Sequence, residues 1–461
     1  MPGVAASASL LEVYQQALQS DPLIHEAEAR RMATLEAVPQ ARGFLLPKLN
    51  AAGSWSQGKN SVLQSFSQQI GPGQIEFLTV KANSDFDSFG WNAELRQTVF
   101  RWDQFVGLKQ AEKRVAKAEV DFEAAQQDLI VRVVTRYLDV LAAEDRLTSI
   151  HADRQAIARQ LEQAQQRFEV GLIAITDVQE SRAAYDQSVA SEIQAKRELA
   201  TAREFLREIT GEYIPQLSAP TEKFPLASPN PAAAANWVDL AMDQNLTLVS
   251  SRFDEEIARD EIAFRRTGHY PTVDLVASHD TSDTDISNLT IGGRLSQNPD
   301  FPTGNTRDTI AVQFNVPLFS GGRTSSRVRE AVYLHRASRE QLQRVSRETE
   351  RQARDAYLSV LSEISRVNAL AQAVESSRTA LEATQAGFEV GTRTIVDVLN
   401  SQRSLYSAIT NYYQSRYTYI GNVLRLKLAA GNLRIQDLEE IDRYLVERRP
   451  PEDVIAEEEG G

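Results

Sequence analysis

The sequence predicts an α+β fold in which very long helical hairpins alternate with β-hairpins. Two windows lack glycine altogether, residues 108–170 with 63 positions and residues 323–386 with 64 positions. Both windows are rich in alanine, glutamine, glutamate, arginine and leucine, which are favourable helix formers. A helix of that length would extend on the order of 95 Å. Four other segments alternate between apolar and polar residues, and the same order of elements occurs twice.

The glycine-free windows carry a coiled-coil pattern. Apolar residues recur at alternating spacings of three and four, which keeps one seam against a partner helix. The seam of the first window consists of Leu108, Ala111, Val115, Ala118, Phe122, Ala125 and Leu129. The seam of the second consists of Val360, Ile364, Val367, Ala371 and Val374. Ordinary amphipathic helices in a soluble bundle would show the same pattern, so both interpretations stay open on periodicity alone.

Each window ends in the same motif, which predicts a tight helical tip. The motif is Phe168-Glu169-Val170-Gly171 in the first copy and Phe388-Glu389-Val390-Gly391 in the second. Glycine directly after a helix favours the left-handed cap. A second helix then begins near Ile175 and near Ile395. Each pair of helices is therefore predicted to form a hairpin.

The two tip motifs lie 220 residues apart, and Tyr137-Leu138 and Tyr357-Leu358 share that offset. Ordered matches of this kind indicate an internal duplication. The predicted division is a first repeat at 1–212, a linker at 213–236, a second repeat at 237–432, and a C-terminal segment with an acidic, disordered tail at 433–461. The repeats would contain β-hairpins at about 48–100 and 271–319, and helical hairpins at 104–211 and 322–431.

The β-segments are predicted at Leu49–Gln57, Asp87–Phe100, Thr272–His279 and Thr309–Phe319, with loops between the members of each pair. In the last segment Ile310, Val312, Phe314, Val316 and Leu318 share one face. A length of about ten residues suits a tilted membrane strand, and aromatic residues near the strand ends suit the girdles of a membrane barrel. A soluble β-sandwich would give the same strand pattern, so this alternative stays open.

The number of strands limits the membrane interpretation. An open sheet of four strands cannot lie in lipid, because its edges would expose unpaired backbone groups. Single-chain barrels begin at about eight strands. The membrane interpretation therefore requires several chains in one barrel, with twelve strands from three copies or eight from two.

Composition excludes several classes of function. The chain has 50 basic and 63 acidic residues, a net charge of −13 and no cysteine. Disulfides and thiolate sites are thereby excluded, and the acidic balance argues against nucleic acid as a partner. No apolar run is long enough for a transmembrane helix, and no signal sequence is visible. The five histidines lack the spacing of metal ligands, so no catalytic residue, metal or cofactor is predicted.

The motifs resemble those of the TolC-like outer-membrane efflux proteins. The most specific are the runs Phe388–Leu399 and Val170–Gln179, joined by Phe44–Leu49 and Pro317–Gly322. The resemblance covers about Leu10 to Leu438. It implies a homotrimer whose twelve strands form one barrel in the outer membrane of a Gram-negative bacterium. Its long helices would form an α-barrel in the periplasm, and the linker and C-terminal segment would form an equatorial region.

The resemblance also implies a function and partners. The duct would passively export drugs, toxins or proteins as part of a tripartite efflux or type I secretion system. A periplasmic adaptor (membrane fusion) protein and an inner-membrane pump of the RND, MFS or ABC type would complete that system. The adaptor would dock at the helical tips around Gly171 and Gly391. The remaining alternative is a soluble coiled-coil scaffold or adaptor with inserted β-domains.

Family motifs locate a gate at the helical tips. Asp397 matches the first member of an aspartate pair that narrows the entrance, whereas Asn400 occupies the second position. Three Asp397 carboxylates around an axis would raise one another's pKa and attract cations. With asparagine at the second position, we expect weaker cation block than in a relative with two carboxylate rings.

The resemblance further implies tethers that hold the gate closed. Arg393 matches the tethering arginine, and Thr176 and Asp177 match its partners. An arginine–carboxylate contact is charge-assisted and geometrically specific. Phe388 replaces a tethering tyrosine and lacks its hydroxyl, so one hydrogen bond should be absent.

Overall fold

The computed structural model describes residues 7–221, 224–296, 300–448 and Pro451. Most of the predicted acidic tail lies outside the described residues. The chain divides into two compact units, and each draws on both sequence repeats. The first unit contains Met1–Thr34, Ala116–Glu255 and Ser338–Gly461, and the second contains Leu35–Val115 and Glu256–Ala337.

The predicted long helical hairpins are present. Within the described ranges the α-helices, α1 to α10 in chain order, are Leu10–Ser20, Pro22–Leu35, Ala37–Gly43, Trp102–Glu169, Ile175–Thr210, Ala234–Gln244, Leu246–Arg266, Arg323–Glu389, Ile395–Ala430 and Ile435–Asp442. A single 3-10 turn, Thr267–His269, follows α7. The helices α4 and α8 have 68 and 67 residues, which corresponds to a length of about 100 Å each. None of the described helices is long and apolar enough to cross a membrane.

The strands in the same ranges, β1 to β7 in chain order, are Lys48–Gly71, Gln74–Phe100, Ala219–Pro220, Thr272–Ile291, Arg294–Leu295, Phe301–Asn315 and Leu445–Val446. The main sheet belongs to the second unit and is antiparallel, in the order β1-β2-β4-β6, with the short β5 also on β4. The short strands β3 and β7 pair with each other in the first unit.

The strands are much longer than the ten residues expected from the sequence. The prediction of a loop at 58–86 is wrong, because β1 and β2 pair continuously from Lys48↔Arg96 to Gln69↔Ile75. Only Pro72-Gly73 separates them, and Gly73 has a φ of +81°, which favours glycine. The predicted loop after His279 is wrong at both ends, because β4 extends to Ile291 and β6 begins at Phe301 and not at Thr309.

Side-chain hydrogen bonds explain why the polar segment forms strands. Ser61 donates to Asn83 at 2.7 Å, and the hydroxyls of Ser65 and Thr79 are 2.8 Å apart across the same pair of strands.

In the second hairpin, β6 ends at Asn315 and not at Phe319 as predicted. Pro317 lacks the N–H group that a ladder would need.

The membrane-length part of the sheet has one apolar and one polar face. Residues that pair between β1 and β2 are both odd-numbered or both even-numbered. The odd-numbered residues of β1 and β2 lie on one face of the sheet, the odd face, and their even-numbered residues lie on the other, the even face. Each residue of β4 and β6 belongs to the face of the β1 and β2 residues in its cross-strand row, whatever its own number. The odd face carries the apolar residues Leu49, Trp55, Phe89, Trp91, Leu95, Leu275, Ile310, Val312 and Phe314. On β4 and β6 this face becomes polar beyond Ala277 and Ile310, where His279 pairs with Asp308. The even face carries Asn50, Ser54, Ser56, Ser88, Asn92, Glu94, Ser278, Ser282, Asn305, Arg307, Thr309 and Gln313.

The odd face is open in the single chain. Ile310 is 82 % exposed, and Trp55 is 69 % exposed. In the sheet as described, β1 pairs only with β2, and β6 pairs only with β4. Both outer edges of the sheet therefore present unpaired backbone groups.

The hydrophobic core of the first unit lies where α1, α4, α5, α8, α9 and α10 meet. Tyr137 is fully buried there and donates a hydrogen bond to the carbonyl of Ser218 at 2.5 Å. The carboxylate of Asp145, also buried, accepts from the hydroxyl of Tyr417 and from Arg448. These contacts tie the C-terminal segment to the long helices, and they position the paired helices that end at the tips.

Candidate functional site

Both helical tips close with a glycine in the left-handed conformation. Gly171 has a φ of +75° and Gly391 a φ of +77°. Each donates its N–H to the carbonyl of the phenylalanine three residues earlier, at 2.9 Å for Phe168 and 3.1 Å for Phe388. This is the cap that the sequence predicts. Leu172, beside the first glycine, is exposed at its tip.

Asp397 forms the N-terminal cap of α9 together with Thr394. One carboxylate oxygen of Asp397 accepts from the backbone N–H of Thr394 at 2.9 Å and from its hydroxyl at 3.0 Å. The backbone N–H of Asp397 donates back to the Thr394 hydroxyl at 3.3 Å, which completes a capping box.

Capping also sets the charge of this carboxylate. The backbone and hydroxyl of Thr394, followed by the nearby charge of Arg393, hold the pKa of Asp397 below its ordinary value. Within one chain the group therefore stays ionised at any physiological pH. The mutual effect of three carboxylates in a ring stays a prediction. Asn400 is exposed one helical turn further along α9.

Arg393 is exposed, and its aliphatic stem lies against the end of α8. A Cβ atom added to Gly387 would come within 2.8 Å of its Cγ atom. Thr176 and Asp177 lie in the first turn of α5. In the part of the chain that the structure describes, no hydrogen bond or ion pair joins Arg393 to either of them. One chain thus brings Arg393 close to Asp397 but not onto its expected partners, and the tether stays a prediction.

Phe388 contributes apolar packing between the two hairpins. It lies against a small cluster formed by Ile157 of α4 with Ile395 and Leu399 of α9. The guanidinium of Arg167 stands over its ring, 5.0 Å from the centroid. Such a cation–π contact contributes about 0.5–1 kcal/mol at an exposed site. In one chain, stacking and packing hold this position without the missing hydroxyl.

A second contact between the hairpins was missed at the sequence level. The amide of Gln402 in α9 donates to the carbonyl of Asp153 in α4 at 3.2 Å and to its carboxylate at 2.9 Å. Gln402 is buried, and burial raises the pKa of Asp153. A glutamine inside a helix usually lies at the surface, so its sequence position gives no signal for this contact.

The chemistry available at the tips is electrostatic. The described residues contain no group of histidine, aspartate or glutamate side chains that could hold a metal ion. What the tips offer is an ionised carboxylate, a neighbouring arginine and exposed apolar residues on two tight turns. These features suit a charged constriction and a docking surface.

Comparison with known proteins decides the family. The sequence model described as "Outer membrane efflux protein" matches residues 13–212 and 237–432. The chain belongs to this family. It is 36 % identical to the outer membrane protein TolC of Escherichia coli over 437 residues, which are 94 % of this chain and 84 % of that protein. It is 28 % identical to the alkaline protease secretion protein AprF of Pseudomonas aeruginosa over 453 residues, 97 % of this chain and 89 % of that one.

Solved structures show the same fold. The outer membrane protein VceC of Vibrio cholerae superposes with a TM-score of 0.70 at 19 % identity, over 92 % of this chain and 96 % of that one. Family membership and this fold confirm the predictions of an α+β efflux protein with long helices and of an outer-membrane duct in a Gram-negative bacterium.

Proposed function

We propose that three copies of the chain share one twelve-stranded barrel in outer-membrane lipid and form the exit duct of an efflux or type I secretion system. The observation that carries this proposal is the exposed apolar odd face on a sheet with two open edges. An isolated chain would leave both the apolar face and the edges in water.

The height of the apolar band supports a lipid environment. Val273 pairs with Phe314 at one end of the band, and Asp283 pairs with Phe89 beside Trp55 at the other. Ten residues separate Val273 and Asp283 along β4. At about 3.4 Å per residue and a tilt of about 40°, these two rows are about 26 Å apart, which matches the apolar band of about 25 Å on membrane barrels. On β2 apolar residues reach both rows, at Phe100 and Phe89, whereas on β4 and β6 the face is polar from His279 and Asp308 onward.

The strand order supports closure by further copies. Neighbouring strands alternate in direction along β1-β2-β4-β6, so β6 of one copy and β1 of the next would meet antiparallel. Repetition of this contact around an axis removes every edge. Three copies give twelve strands with the polar even face toward an aqueous lumen.

The proposed gate lies at the tips of the long helices. Three Asp397 carboxylates form the constriction, and Asn400 adds a neutral polar ring beside it. Because no hydrogen bond or ion pair joins Arg393 to Thr176 or Asp177 in the described part of one chain, the proposed tether joins neighbouring chains. Its release opens the duct without ATP hydrolysis by this protein.

The proposed partners dock at the same end. The turns at Gly171 and Gly391 expose Leu172 and Val390, which offer apolar contact area to a periplasmic adaptor protein. The adaptor links the duct to an inner-membrane pump of the RND, MFS or ABC type. Relatives named for efflux and for protease secretion support both kinds of cargo.

The proposal is tested by purification and electrical recording. The full chain, extracted in detergent, should migrate as a trimer and form ion-conducting channels in planar bilayers. A monomer that stays soluble without detergent and forms no channels would contradict the proposal and favour the scaffold alternative.

A further inference from the structure

The first β-hairpin extends far beyond the apolar band. Past Trp55 and Phe89, β1 continues to Gly71 and β2 is paired with it from Gln74. This extension corresponds to about 50 Å of strand. It lies on the side of the band opposite the strand ends that join the long helices, because Phe100 leads directly toward α4. In the proposed trimer that side faces the exterior.

The polarity of the even face inverts along this hairpin. Inside the band the even face is polar, as in the row that contains Ser56, Ser88 and Thr284. The next even row pairs Phe86 with Ile286, and its third member is Gly58. A Cβ atom on Gly58 would lie 2.9 Å from the Phe86 ring, so the ring covers the glycine.

Apolar and polar residues then alternate up the same face, where Asn60 pairs with Ser84 in the next row and Glu76 lies near the turn. Val62, Ala82 and Ile291 form one cross-strand row. Further even positions toward the turn are Val80, Leu78 and Ile70. Leu78 is 51 % exposed in the single chain, and Ile70 is 59 % exposed. The even face of the extension therefore carries most of the apolar residues of the extension, interspersed with polar ones, and no element of its own chain covers it in the described part of the sheet.

The odd face of the extension has the opposite character over most of its length. Ser61 with Asn83 and Ser65 with Thr79 form side-chain hydrogen bonds on it, and Lys59 lies 3.8 Å from the carboxylate of Asp85. On β1 and β2 the odd face thus changes from apolar to polar where the even face gains its first large apolar residue, Phe86. Such an exchange indicates that lipid lies outside the band, and that water lies outside the extension.

We propose that the even faces of the three extensions pack against one another across the outer mouth of the duct and form an apolar constriction there. The inference rests on the proposed trimer, because only copies around a common axis turn the same face toward one another. The occupant is a second copy of this chain, since the even face is continuous with the face that lines the lumen. Apolar side chains that point toward the axis from three copies remove one another from water.

This constriction gives the duct a second barrier besides the proposed gate. Apolar rings exclude ions and polar solutes by dewetting. The barrier would hinder polar compounds from entering from outside, whereas cargo driven from the periplasmic side would part the hairpins. No covalent step or energy source is required.

Cross-linking tests the contact directly, because the chain contains no cysteine. Leu78→Cys places one thiol on the even face, and Phe77→Cys places one at the neighbouring position on the odd face. A short bismaleimide applied to purified trimers should yield covalent dimers with Leu78→Cys and at least about ten-fold fewer with Phe77→Cys, since side chains alternate between faces.

A second measurement tests the barrier. Ser54→Cys lies on the even face within the band, and a bulky membrane-impermeant maleimide must pass the mouth to reach it. Replacing Val62, Leu78 and Val80 by serine should accelerate this labelling at least about ten-fold if an apolar ring restricts passage. The matched control replaces Leu63, Ile75 and Phe77 on the odd face and should leave the rate unchanged.

The outcomes separate the two proposals. Wild-type protein that forms no trimer overturns both. A trimer that conducts, but shows equal cross-linking from both faces or equal labelling in both serine variants, overturns the constriction and leaves the duct intact. Normal migration of each variant as a trimer excludes misfolding as the cause.

Discussion

A single arginine on the odd face gives the sharpest test of the lipid interface. Ile310 lies in the apolar band four residues along β6 from Phe314, opposite Ala277 and in one row with Leu95, and Asp308 follows it on the same face. Arginine near the bilayer midplane costs about 2–4 kcal/mol. Loss of the isoleucine side chain removes a further 1.5 kcal/mol or so of apolar transfer. Ile310→Arg should therefore destabilise each copy by about 3.5–5.5 kcal/mol.

The neighbouring residue provides the control. Thr309 is exposed on the even face, in one row with Ser278 and the carboxylate of Glu94. Thr309→Arg should change stability by no more than about 0.5 kcal/mol, because the new charge faces water. The assay is urea unfolding of trimers folded in lipid vesicles, followed by the fluorescence of Trp55 and Trp91. Equal destabilisation by both arginines would refute the assignment of the odd face to lipid.

Three further predictions concern the gate. Arg393→Ser should raise the ratio of open to closed ducts by roughly ten-fold or more, because a charge-assisted contact is lost. Single-channel conductance measures this change. The control Arg378→Ser removes an exposed ion pair on α8 and should leave conductance unchanged. Asn400→Asp adds three carboxylates per trimer and should tighten divalent-cation block by about ten-fold, and an unaltered blocking constant would exclude the side chain from the constriction. Because the pKa of Asp397 is lowered, the charged cap stabilises the tip above the ordinary pKa of about 3.9 and is lost as the pH falls through the lowered value. Thr394→Ala removes the hydroxyl that helps to lower the pKa of Asp397, so it should raise the pH at which divalent-cation block disappears. Recordings at a series of pH values that show no such rise would contradict the role of the cap.

Helices and tips were predictable because their causes are local. The absence of glycine over 63 and 64 positions permits long helices, and a left-handed glycine ends each of them. The alternation of Ile310, Val312 and Phe314 also specifies which face of β6 is apolar. Motif similarity was sufficient to indicate Asp397 and Arg393 as residues of the tips.

Contacts between distant segments were not predictable. The segment 58–86 resembles a loop because serine, asparagine and glycine are poor strand formers. It becomes a strand because each half supplies the hydrogen-bond partners of the other. The contact of Gln402 with Asp153 likewise depends on how α9 packs against α4 and has no sequence signature.

The sequence by itself determined the long helices, their glycine-capped tips and the faces of the membrane-length strands, because each depends on residues near one another along the chain. Only the tertiary structure decided how far the first hairpin extends and where its two faces exchange polarity. It also decided that Asp397 caps its own helix, while Arg393 lacks its expected partner within one chain. These features depend on pairing and packing between segments far apart in sequence, and local propensity does not encode them.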